Sequence, residues 1–67
     1  MYPTLMAEIA RKGWGQKDLA EATGMTQSAV SLLMRGKKRV TVDVAFQIQE
    51  ALGTPKTIDE LFRWRDR

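Results

Sequence analysis

The 67-residue chain contains no cysteine and no histidine. Without cysteine it can form neither a disulfide framework nor a cysteine-ligated zinc site, two devices that commonly brace very small cores. Without histidine it lacks the usual general base, the partner of a nucleophilic serine and the commonest metal ligand. The expectation is a protein that is not an enzyme, with no catalytic residue, metal or cofactor. No apolar run approaches the eighteen or so residues of a membrane span, and Met1-Tyr2-Pro3-Thr4 lacks the basic start and apolar stretch of a secretion signal. Nothing repeats, and nothing is of low complexity. A cytoplasmic protein with no membrane partner is expected. A hydrophobic content of 43% makes apolar packing the plausible source of stability. One domain over residues 1–67 is expected, and folding at this size removes only about 60% of the surface from water.

The net charge of +3 is unevenly spread. Residues 1–34 are neutral in sum, with Arg11, Lys12 and Lys17 against Glu8, Asp18 and Glu21. Residues 40–67 sum to −1. The excess is the run Arg35-Gly36-Lys37-Lys38-Arg39, four positive charges in five residues. Such a run is a solvated loop or a contact for an anionic partner.

Glycine and threonine divide the chain into five segments with helical apolar spacing, expected over about 3–12, 16–23, 27–35, 42–52 and 58–64. Pro3 suits a first helical turn, where its missing N–H is harmless. Leu5, Met6, Ile9 and Ala10 share the first segment; Leu19, Ala20 and Ala22 are expected to face inward on the second. Thr26 is a good N-cap for the third, with Val30 and Leu33 as its inward face. Thr41 caps the fourth, whose stripe is Val44, Ala45, Ile48, Ala51 and Leu52. Thr57 with Glu60 three residues on forms a capping box for the fifth. No segment alternates with period two for the length of a strand. Loops of two to five residues would join these helices into a compact all-α domain. None would be stable alone at such lengths.

The second and third segments, joined through Gly24, fit a helix-turn-helix. With Gln16 as position one, Ala20 is fifth, Gly24 ninth, Met25 tenth, Val30 fifteenth and Leu33 eighteenth. Ala20 is small where the second backbone comes closest, and Gly24 can take the positive φ of the turn. Leu19, Met25, Val30 and Leu33 close the core between the two helices.

On these residues the chain resembles the Cro/C1-type helix-turn-helix (XRE) family. The resemblance is carried by Gly13-Trp14-Gly15-Gln16-Lys17-Asp18-Leu19-Ala20, Thr23-Gly24-Met25-Thr26-Gln27-Ser28-Ala29-Val30-Ser31 and Arg35-Gly36-Lys37. It extends to Ile58-Asp59-Glu60-Leu61-Phe62. It implies a five-helix, lambda-repressor-like domain whose helices 2 and 3 form the helix-turn-helix. It further implies a small transcriptional regulator, expected to be a repressor, that binds a near-palindromic double-stranded operator as a homodimer at least on DNA. Such a protein would sit on the nucleoid when bound. By the resemblance Gln27, Ser28, Ala29 and Leu32 are the base-contacting candidates. Gln16, Lys17, Thr26, Ser31, Arg35, Lys37, Lys38 and Arg39 are the phosphate-contacting ones.

The chemistry of these side chains bears on that assignment. Gln27 carries the donor and acceptor needed to read adenine N6 and N7, whereas Ser28 pairs with either kind of edge group and discriminates weakly. Leu32 departs from the polar or basic side chains common there in the family; it touches a thymine methyl or reads nothing. A loop leaving a groove-bound helix passes the sugar–phosphate wall, which gives the 35–39 run its place.

Leu32 and Met34 flank the core residue Leu33 and are expected to be exposed. Trp14 is expected to pack against the first or fifth helix. Leu61 should close the core, leaving Phe62 and Trp64 as the homodimer-interface candidates. The alternative function is a protein-interaction module on the same fold, with weak or no base readout and a separate protein partner. Leu32, Met34, Phe62 and Trp64 motivate it; Gln16, Gln27 and the basic loop oppose it.

Overall fold

The computed structural model describes residues 1–66. The chain folds as α1 (Pro3–Arg11), α2 (Gln16–Thr23), α3 (Gln27–Met34), α4 (Val42–Leu52) and α5 (Ile58–Leu61), with no strand among the described residues. Helix starts follow their capping chemistry. Pro3 occupies the first turn of α1. The Thr26 hydroxyl oxygen accepts from the Ala29 N–H at 3.0 Å, and that of Thr41 from Val44 at 3.3 Å. At α5 the box is reciprocal. The Glu60 N–H donates to the Thr57 hydroxyl at 3.1 Å, and the Thr57 N–H donates to the Glu60 carboxylate at 2.9 Å.

The core collects Leu5, Ile9, Leu19, Ala20, Val30, Leu33, Ile48, Leu52 and Leu61, at least one residue from every helix. α2 packs against α3 and α4, while α5 packs against α1 and α4. The described chain measures 25 × 25 × 22 Å. Trp14 is half-buried against this core, with the Lys12 ammonium 4.8 Å from its ring centre.

Several details differ from the sequence expectations. α5 stops at Leu61, not Trp64. Phe62 caps it, and the chain then turns back so that Arg65 and Met1 exchange two backbone hydrogen bonds of 2.8 Å. The α3–α4 connection is seven residues, 35–41, longer than the two to five anticipated: the expected helix bounds already left six residues there, and Arg35 joins the turn as the seventh. Ala22 is exposed, since Leu19 and Ala20 occupy the inward stripe of α2. On α1 the third stripe position is Glu8, so Met6 and Ala10 lie outside. Glu8 is buried and charge-balanced: it accepts from the Thr54 hydroxyl at 2.7 Å and from Arg11 at 3.2 Å.

Two stability predictions follow from this packing. Leu33→Ala should cost about 2–5 kcal/mol in urea unfolding, because Leu33 is fully buried at the meeting of α3 with the core. The capping hydrogen bonds from Thr57 hold the Glu60 carboxyl below its ordinary pKa. A pKa lowered by folding gives stability that is present at neutral pH. That stability is lost as pH falls from the ordinary carboxylate range through the lowered value. Glu60→Gln should therefore flatten the thermal midpoint against pH in that window and leave the basic side unchanged.

Candidate nucleic-acid interface

α3 has two buried side chains, Val30 and Leu33. Successive residues turn about 100° around a helix, so the opposite face is centred on Ser28 with Ser31 and Leu32 beside it. Gln27 and Ser28 are exposed, and Ala29 and Ser31 half-buried. Leu32 is 41% exposed. Met34 is half-buried against the core, contrary to its expected exposure, because it stands one turn beyond Val30. Thr26 caps the helix with its oxygen, which leaves its hydroxyl proton free to donate outward.

The start of α2 has a different character. Its N-cap is Gly15, which has no side chain to accept the first-turn N–H groups, and the Asp18 carboxylate binds the Gly15 N–H at 2.8 Å. Gln16 and Lys17 stand exposed on that first turn. Outward N–H groups beside an amide and an ammonium suit a phosphate oxygen.

α3 ends in a double hydrogen-bonded turn. The Gly36 N–H donates to the Leu33 carbonyl at 3.0 Å, and the Lys37 N–H reaches back to Leu32 at 2.8 Å. Gly36 adopts φ of +74°, the left-handed conformation this closure requires. Arg35, Lys37, Lys38 and Arg39 are all exposed. Among the described residues the ion pairs are Arg11–Glu8 and Arg63–Asp59, so no carboxylate neutralises the run. Behind it opens a groove of about 780 Å³ whose apolar wall includes Val40, Val42, Phe46, Ile58 and Phe62.

The geometry is that of an all-α helix-turn-helix protein, with α2 laid across α3 and the outer face of α3 left open. A sequence model described as helix-turn-helix matches residues 5–58. The chain belongs to that family, the Cro/C1-type helix-turn-helix (XRE) family of DNA-binding transcription regulators. No curated protein and no solved structure matches the chain. No helix of the described residues is long and apolar enough to cross a membrane.

Phe62 and Trp64 both meet Tyr2 edge-on, at ring-centre distances of 5.7 and 4.9 Å. Phe62 is half-buried, and Trp64 is 43% exposed. The sequence reasoning missed three features. Val42 and Phe46 are 69% and 56% exposed, one turn apart on α4; their interval of four and their place opposite the inward stripe were both readable. Glu8 carried a signal, a carboxylate three residues from Leu5 on an apolar stripe. The third is Trp64, whose ring covers Gly36: a methyl group built there would lie 2.6 Å from Cη2 and 2.9 Å from Cζ3.

Gly24 also has positive φ, but a methyl group there would meet no atom within 4 Å. Gly24→Ala should cost only the left-handed backbone penalty, about 1–2 kcal/mol. Gly36→Ala should cost that and about 1 kcal/mol or more of overpacking. Equal losses in urea unfolding would mean that Trp64 does not press on Gly36 in solution.

Proposed function

We infer that the chain, acting as one domain over residues 1–67, is a sequence-specific DNA-binding regulator that inserts α3 into the major groove. The observation that carries this reading is the continuity of an open α3 face with the unpaired cations at its end. Gln27 and Ser28 supply hydrogen-bonding groups for base edges, with Ala29 and Leu32 against the groove floor or a thymine methyl. Gln16, Lys17, Thr26 and Ser31 hold phosphates on one side of the groove, and Arg35, Lys37, Lys38 and Arg39 on the other. A homodimer would present two such helices to half-sites about 34 Å apart. Its contact would use the exposed edge of Trp64 and the groove wall of Phe62, extended by Phe46. Occupying the groove excludes other proteins from the same site, so repression is the expected sign.

A second reading has its own support. Val42 and Phe46, two large exposed apolar side chains beside an apolar groove, are the kind of surface that a separate protein partner covers. In that reading the fold is retained for interaction and base readout is weak.

Selection from a randomised duplex pool, followed by titration of the best site, separates the two. The DNA reading predicts a near-palindromic motif. It also predicts a log–log salt slope near −7 if each protomer neutralises about four phosphates. Gln27→Ala should relax preference at one base pair per half-site, whereas Lys38→Ala should weaken all duplexes alike. No enriched motif at low salt would favour the interaction module. A slope flatter than about −2 would remove the cationic run from the DNA contact.

A further inference from the structure

The interior of the helix-turn-helix does not account for the position of Trp64. This residue lies three positions beyond the last residue of α5, on a tail tied to the chain start. Arg65 donates its N–H to the Met1 carbonyl and accepts from the Met1 amino group, each at 2.8 Å. Tyr2 stands edge-on to both Phe62 and Trp64. The indole N–H is held by the Asp66 carboxylate at 2.9 Å. Two backbone bonds, a ring cluster and a side-chain hydrogen bond thus fix one indole ring. The far edge of that ring, Cη2, Cζ3 and Cζ2, lies on Gly36. Gly36 is the left-handed residue on which α3 terminates, and Lys37, Lys38 and Arg39 follow it directly.

We propose that Trp64 is a positioning residue for DNA binding: the clasp of the two chain ends presses its indole onto Gly36 and thereby fixes the cationic run 37–39 for the phosphates. The inference rests on the DNA-binding reading above. Its physical basis is entropic. An ordered run of cations has less backbone freedom to lose on binding than a free one, and each residue ordered only on binding weakens affinity. Glycine at position 36 permits the left-handed turn and also leaves room for the ring. Gln27 and Ser28 open α3, at the opposite end of the helix from Gly36, so affinity and base preference should respond to the clasp separately.

The test combines hydrogen exchange in the free protein with DNA titration, on wild type, Trp64→Ala and Trp64→Phe. Trp64→Phe keeps a ring beside Tyr2 but lacks the benzo edge that reaches Gly36. Ile48→Val, a core change remote from the clasp, controls for general loss of stability. In both Trp64 variants the Gly36 and Lys37 amides should exchange at least tenfold faster relative to the Val30 and Leu33 amides, and Ile48→Val should not alter that ratio. On the selected duplex, at protein concentrations where ultracentrifugation gives Trp64→Ala the same mass as wild type, Trp64→Ala should bind about tenfold more weakly, with a flatter salt slope and unchanged base preference. Exchange that rises equally at all amides, or affinity and slope within twofold of wild type, would overturn the proposal. If wild type binds no duplex, the DNA-binding reading falls with the positioning role. The exchange ratio would then still decide whether the clasp orders the turn.

Discussion

α3 is eight residues long and cannot sustain itself; helices of that length are marginal in water without tertiary support. Two buried side chains, Val30 and Leu33, supply that support, and the geometry of the interface depends on them. Because they occupy one stripe, the opposite face of the helix, centred on Ser28, is available to a partner. Because they meet α2 and the Ile48 region of α4 in one core, the angle of α3 is set by the whole fold. Only the helix ends remain to be fixed. Thr26 does this at the start, and the turn at Gly36 does it at the finish.

The two ends of α3 differ in kind. The start is a local cap, a hydroxyl three residues from the N–H it binds, and it needs nothing distant. The finish is tertiary. Its hydrogen bonds are local, but the space around Gly36 is defined by a tryptophan 28 positions away along the chain. Four unpaired cations adjoin this second end. Their mutual repulsion favours spreading into solvent, and the packed ring opposes disorder at their root. The small domain thus spends part of its few aromatic residues on the exit of one helix.

Much of the fold was legible from the chain because its signals are short-range. Thr26, Thr41 and the Thr57/Glu60 box mark helix starts by interactions spanning three residues, and Gly24 and Gly36 mark ends by backbone conformation. The Ala20–Gly24–Val30–Leu33 spacing encodes one helix crossing. Features that depend on distant packing were not legible. The shortened α5 follows from Arg65 pairing with Met1, a contact between residues 64 apart. The burial of Glu8 needs Thr54, 46 residues away. Phe46 lies opposite the Ala45–Ile48–Leu52 stripe of α4, so its outward placement follows from helical periodicity, but the groove beside it, walled by Ile58 and Phe62, does not. For the interface, the sequence showed which residues lie on α3 and in the basic run. Their exposure, and the link from that run to the chain ends, came from tertiary placement.

The central claim is that the outer face of α3 and the cations at its end form one DNA-binding surface. Amide shift mapping of the isotopically labelled chain against a selected duplex tests it most directly. The account predicts that the largest changes fall on Gln16 and Lys17, on Thr26 to Leu32 and on Arg35 to Arg39. Changes centred on Val42 and Phe46, with Gln27 and Ser28 unmoved at saturation, would contradict it.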